Sequence, residues 1–264
     1  MVNIVVGLGE VGKSLFETIK SQFSDTIGVD INPVEINERV EIMHICIPFS
    51  NKFLDLVKSY INKYRPELTI INSTVIPGTT RKIIEETGSE IVYSPVKGVH
   101  KRMKDDLIYY TKFIGGLDKE ALEKAKKHFE SLGMKIKCYE NPDAVELMKL
   151  TETTYYGVLI AWAQEAERIA KKFNSSYDEI MEFVEEVDKR GLPRPKMVPG
   201  FIGGHCVIPN IHLLKKVTYS GFFDAILDSN EKRKKELEAE GHKVDDTKNK
   251  EMIKINSDEN DKKG

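Results

Sequence analysis

The apolar positions along the chain change their period near residue 140. Before it, short apolar runs recur at "VNIVV" (2–6), "TIGVD" (26–30), "IMHICIP" (42–48), "LTIINST" (68–74), "EIVYSP" (90–95), "KFIGG" (112–116) and "MKIKCY" (134–139). Such runs predict buried strands. Between them lie amphipathic segments near 51–64, 79–87 and 118–131, and a first one whose Val11, Leu15, Ile19 and Phe23 share a face. Strands alternating with helices of this length predict an α/β fold, a doubly wound parallel sheet covered on both faces.

At "ENPDAVELMKL" the pattern becomes helical without relief. Asn141 suits an N-cap and Pro142 a first helical position. From there to Phe173, apolar Val145, Met148, Tyr155, Leu159, Trp162, Ala166, Ile169 and Phe173 recur at helical spacing. A second helix is predicted over 176–188, then a Pro/Gly-rich loop over 191–209 and one or two helices to about residue 240. From Gly241 onward Lys, Asp, Glu and Asn dominate, and a disordered charged tail is expected because too little apolar surface offsets the entropy of ordering it. The chain thus divides into an α/β domain (1–140), an all-helical domain with one long helix (141–240) and a tail (241–264).

Composition narrows the function classes. Hydrophobic residues make up 40% and charged residues 31%, with a net charge of −2. That balance gives no electrostatic case for nucleic acid or for an anionic membrane surface. No run approaches the roughly 18 apolar residues of a membrane span. The N-terminus enters a strand directly, without a basic leader, so no signal peptide is expected. Three cysteines, with no CxxC pair, argue against a disulfide framework and against a metal site. The chain is expected to be cytoplasmic.

"VVGLGEVGKSLF" places Gly7, Gly9 and Gly12 in a G-x-G-x-x-G pattern between a predicted strand and a predicted helix, with Asp30 ending the next strand. This is the dinucleotide fingerprint of a Rossmann-type domain. Gly7 permits the tight turn, Gly9 lets backbone approach a pyrophosphate, and Gly12 permits close helix–strand packing. The pyrophosphate would rest on the helix N-terminus, over Glu10 and Val11. Asp30 can accept hydrogen bonds from a ribose and would repel a 2′-phosphate, so NAD is favoured over NADP; a flavin is the substitute ligand.

Three further stretches could carry chemistry. Ser73 and Thr74 in "INSTVIPGTT" would stand at the carboxyl end of the sheet, although a well-capped strand–helix turn explains the same residues. Lys149, Thr153 and Gly157 share one helical stripe, and either a cleft or a solvated surface accounts for it. In "PGFIGGHCVIP", Gly203 and Gly204 free the backbone before Cys206. Pro209 and Asn210 can open a helix, placing the thiol near a helix N-terminus, where a thiolate is stabilised. Cys46 and Cys138, inside apolar strand patterns, read as packing residues.

Together, "GLGEVG", "CIP" (46–48), "NSTVIPGTT", "SPVKG" through "IGG" (94–116), "AVELMKL" and above all "PGFIGGHCVIP" resemble the UDP-glucose/GDP-mannose dehydrogenase family, over residues 1 to about 230. The "GGHC" is most similar to the branch acting on UDP-N-acetylmannosamine and related sugars. The resemblance implies a Rossmann domain, a helical region that forms a homodimer through the long helix, and a second α/β domain that helps bind UDP. It implies NAD-dependent oxidation of a nucleotide sugar at C6, from hydroxymethyl to carboxylate. By the same resemblance Cys206 captures the aldehyde as a thiohemiacetal and then carries a thioester, Lys149 stabilises oxyanion charge, Thr74 holds a water, and Ile47, Pro48, Ser73 and Thr74 join the cofactor site.

Departures from the family pattern are specific. "SPVKGVH" stands where two acidic residues are usual, with His100 near the second. Thr153 replaces an asparagine and Asn210 an aspartate. The chain stops where the second α/β domain is expected, so a separate chain could supply it. Two other readings stay open: a simple NAD-dependent hydroxyacid dehydrogenase of the related 6-phosphogluconate dehydrogenase-like architecture, and a non-catalytic NAD-binding partner or regulator.

Overall fold

A computed structural model describes residues 1–30, 34–98 and 102–257. His100 and the end of the tail, 258–264, lie outside the described residues. The chain forms two compact units, Met1–Lys149 and Leu150–Lys254.

The first unit contains β1 (Val2–Val6), α1 (Glu10–Gln22), β2 (Ile27–Val29), β3 (Val40–Ile45), α2 (Phe53–Tyr64), β4 (Leu68–Ile71), α3 (Thr79–Thr87), β5 (Ile91–Tyr93), α4 (Met103–Tyr109), β6 (Lys112–Gly116), α5 (Lys119–Ser131) and β7 (Ile136–Tyr139). The strands make one sheet in the order β2-β1-β3-β4-β5-β6-β7. β1 and β4 are buried along their whole length, as a sheet covered on both faces requires. The core joins Val5, Ile42, Ile70 and Val92 of the sheet to Leu15 and Ile19 of α1 and to Ala125 and Phe129 of α5.

The expected parallel sheet carries one antiparallel pairing. The first five strands run parallel, but β6 pairs antiparallel with β5, and β7 then follows β6 in parallel. Among its described residues, the β5–β6 connection holds the seven-residue α4 as its one α-helix. It therefore returns at the same end of the sheet instead of crossing its face, and this sets the antiparallel direction. No periodicity signal predicted α4.

Buried basic groups sit within this unit. His44 and His128 approach Nε2 to Nε2 at 3.0 Å, and Asn72 Nδ2 lies 3.2 Å from His44 Nδ1. An amide NH₂ can only donate there, so His44 accepts at Nδ1 and donates from Nε2 to His128. Burial, then the charge of Lys112, pushes His128 down to about 4. Burial also brings Lys112 down to about 7, while its amine donates to the carbonyls of Ser94 and Pro95.

α6 (Pro142–Lys172) carries the chain into the second unit, which adds α7 (Tyr177–Asp188), α8 (Val207–Lys215), α9 (Gly221–Ala239) and most of α10 (Thr247–Ser257). α7 opens on a capping box between Ser176 and Glu179 and packs Tyr177 and Met181 against Ala163 and Ala166. Arg168 joins α6 to α9 through Glu236 and Ser229. The stripe predicted for α6 divides in an unexpected way. Its small members, Ala166 with Ala163 and Ala170 beside it, are buried, whereas Trp162 is 62% and Phe173 79% exposed. Small side chains let neighbouring helices approach, so the aromatic face is left outward.

Within the segment from Gly241 the chain forms α10. Asp245 accepts from the Thr247 amide at 3.0 Å, Asp246 pairs with Lys234 and Lys250, and Asn249 is buried. Local capping and ion pairs, with one buried polar anchor, supply what apolar surface does not.

Candidate dinucleotide and thiol sites

The glycine pattern falls at the switch point of the sheet, where β2 and β3 lie on opposite sides of β1. Gly7 follows β1 at φ +88°, and a Cβ there would come 2.8 Å from the Cys46 carbonyl oxygen. A Cβ on Gly12 would lie 1.8 Å from the Gly7 oxygen, so that position admits only glycine. Gly9 is the N-cap of α1, and a Cβ there would meet nothing within 4 Å. Open space thus stands over a helix start whose first amides, those of Glu10, Val11 and Gly12, have no acceptor within the helix. Asp30 is exposed directly after β2. This arrangement fits a dinucleotide: a cradle for pyrophosphate, with a carboxylate one strand away.

The carboxyl ends of β3 and β4 complete this edge. Ile47 is half-buried and Pro48 exposed. Ser73 Oγ donates to the Ile47 carbonyl at 2.6 Å, and the Ser73 amide to that of Ile45. Ser73 therefore ties two strand ends together, which is the capped-turn role, while Thr74 beside it is half-buried.

Sequence reasoning missed the group that holds the following turn. Glu146, fully buried on α6, accepts from the Gly78 amide at 2.6 Å, the Thr80 amide at 2.9 Å and the Thr80 hydroxyl at 2.6 Å. It caps α3 from outside that helix. Burial pushes its carboxyl up to about 7, against the pull of these three donors. An acid among the apolar positions of "AVELMKL" was the available signal.

In the second unit, Cys206 is the N-cap of α8. The helix begins at Val207, earlier than Pro209 and Asn210 suggested; a proline in a first turn forfeits no helical hydrogen bond. Asn210, one turn on, is buried, and its Nδ2 donates to Thr153 Oγ1 at 3.1 Å. Thr153 Oγ1 donates in turn to the Leu150 carbonyl. A Cβ on Gly157 would come 2.9 Å from Val207. The Thr153/Gly157 stripe therefore faces α8, with Lys149 one turn earlier along the same helix. The two departures, Thr153 and Asn210, are bonded to each other as an uncharged pair.

The other cysteines differ from each other. Burial pushes Cys46 up to about 12. Cys138, expected to be packed, is exposed on the edge strand β7. Among the described residues, no cluster of three or more His, Cys, Asp or Glu could hold a metal, and no helix is long and apolar enough to cross a membrane.

Residues 143–232 match the model of the UDP-glucose/GDP-mannose dehydrogenase family, central domain. The chain is 25% identical over 255 residues to the UDP-N-acetyl-D-mannosamine dehydrogenase of Methanocaldococcus jannaschii, covering 77% of this chain and 58% of that protein. Against the protein of the same name from Pyrococcus horikoshii it is 27% identical over 215 residues, 70% of this chain and 50% of that one. The solved structure of the P. horikoshii UDP-D-ManNAc dehydrogenase superposes with a TM-score of 0.75 at 23% identity, covering 91% of this chain and 72% of that one. The fold is therefore shared, and the resemblance to the family expected from the motifs holds. The chain spans 58% and 50% of the length of these two curated relatives.

Proposed function

We propose that the chain takes part in the NAD-dependent oxidation of a UDP-sugar at C6, with Cys206 as covalent nucleophile. The observation that carries this reading is the placement of Cys206 at the N-cap of α8, above a helix start that favours a thiolate. Gly7, Gly9, Glu10, Val11, Gly12, Asp30, Ile47, Pro48, Ser73 and Thr74 would hold NAD. When bound, the dinucleotide supplies hydride acceptance, once for each oxidation level.

The chain's own residues do the remaining work. The Cys206 thiolate adds to the C6 aldehyde carbon, and the carbonyl π pair moves to oxygen, giving a thiohemiacetal. The Lys149 ammonium offsets that oxygen's charge. At the thioester level, water held by Thr74 attacks the same carbon, the C–S bond breaks, and carboxylate and thiol are released. A proton must leave that water. Asn210, an amide held on Thr153, cannot take it, so we assign the role to His100, histidine being the side chain that most often serves as a general base. UDP binding draws on a further α/β domain, in the same polypeptide or in a partner. The exposed aromatic face of α6 covers its counterpart in a homodimer. The protein acts in the cytoplasm.

A second reading, a non-catalytic NAD-binding partner, is favoured by one observation: the neutral Asn210–Thr153 pair. Counting NADH released per sugar from a panel of UDP- and GDP-sugars separates the two. Two per sugar supports the full cycle, with Cys206→Ser cutting the count to one or none. No NADH across the panel refutes the catalytic reading.

A further inference from the structure

The loop that delivers Cys206 has no regular structure from 199 to 203, yet its Ile202 is buried. A buried peptide must find partners for both its polar groups. Ile202 finds them on side chains. Its amide donates to Asn230 Oδ1 at 2.7 Å, and its carbonyl accepts from Asn230 Nδ2 at 3.2 Å. One amide side chain of α9 thus grips a whole peptide residue, as a neighbouring strand would. The same carbonyl accepts from Asn249 Nδ2 of α10 at 2.9 Å. Two residues earlier, the Gly200 carbonyl accepts from Gln164 Nε2 of α6 at 2.6 Å, and Gln164 is itself held by Ser229.

Gln164, Asn230 and Asn249 are all at least nine-tenths buried. Downstream, Cys206 opens α8, whose Val207, Ile208 and Ile211 are buried and whose Asn210 is fixed on Thr153. Only residues 203–205 lie between the two anchors, with Gly204 at φ +82°. The course of this link, and with it the direction of the thiol, is set from both ends.

We propose that Asn230 and Asn249 are positioning residues for the Cys206 thiol, clamping Ile202 so that the glycine link presents the thiol at the start of α8. The proposal rests on the reading of Cys206 as nucleophile, and it makes α10, which lies beyond the matched segment 143–232, a working part of the thiol site.

The test is thiol chemistry on the full chain, without sugar or dinucleotide. Iodoacetamide labelling rates of Cys206 are followed by peptide mass spectrometry from about pH 6 to about pH 9.5 in wild type, Asn249→Ala and Asn230→Asp, with exposed Cys138 as internal reference. Asn249→Ala is the mild variant, because Asn249 Oδ1 has no hydrogen-bond partner among the described residues and Ile202 keeps Asn230. Asn230→Asp keeps the shape but turns a donor into an acceptor facing the Ile202 carbonyl. The expected result is a change of about threefold or more in the Cys206 rate and a moved pH midpoint, with Cys138 unchanged and helical content retained. Unchanged Cys206 rate and midpoint in folded Asn249→Ala would overturn the proposal. So would loss of the fold in that variant, since the residue would then be structural. Absence of NADH from the sugar panel sinks the proposed reaction and leaves a thiol shift standing; turnover without a thiol shift sinks the clamp alone.

Discussion

Glu146→Gln tests how the edge of the first unit is held. The carboxylate accepts three hydrogen bonds, from two amides and one hydroxyl at the start of α3, and it does so while buried. A glutamine can place its oxygen toward Thr80, but its NH₂ then faces the Gly78 amide, donor against donor. Leaving that buried N–H without an acceptor costs roughly 1–3 kcal/mol. The pH dependence separates this from a plain packing loss. Burial raises the carboxyl from 4.5 to about 7, so the native state holds a proton that the unfolded chain has already released. The stabilisation from this proton is complete below about pH 4.5, falls as pH rises toward 7, and is gone above it. Its size is about 3 kcal/mol. Glutamine does not titrate. The deficit of the variant should therefore be largest near pH 4.5 and shrink by about 3 kcal/mol by pH 8. Urea unfolding of both chains at stepped pH measures it, and amide exchange at Gly78 and Thr80 reports it locally. A deficit that stays flat, or grows toward pH 8, would refute the argument. The consequence reaches the candidate site, because Ser73 and Thr74 lie in the same strand-to-helix connection.

Two more outcomes are expected. Gly9→Ala adds a methyl into open space over the start of α1, so unfolding should move by less than about 1 kcal/mol while NADH binding, followed by its fluorescence, weakens at least about tenfold; Gly12→Ala, whose methyl meets backbone at 1.8 Å, should instead cost the fold. Trp162→Glu on the exposed face of α6 should leave helical content intact and shift sedimentation from dimer to monomer, and an unchanged sedimentation coefficient would remove that face from the proposed homodimer.

Local spacing made the α/β unit readable. Each of the seven strands is an apolar run, and the three glycines act within a few residues of one another, so both features survive without knowledge of the rest of the fold. Features set by partners distant along the chain were not readable. Glu146 reaches Gly78 across 68 positions, and Asn230 reaches Ile202 across 28; in the sequence each is one more polar residue on a helix. The anchors of α10 were not readable for the same reason, because its Asp246 and Asn249 reach Lys234 and Ile202.

By itself, the sequence determined the number of strands, the glycine turn after β1 and a thiol flanked by glycines, since each depends on neighbours along the chain. Tertiary structure decided the antiparallel turn at β6, the face of α6 that is packed, and the start of α8 at Val207. It also decided that Thr153 and Asn210 satisfy each other. Those outcomes depend on which polar group finds a partner once water is excluded, and that is settled only when distant segments meet.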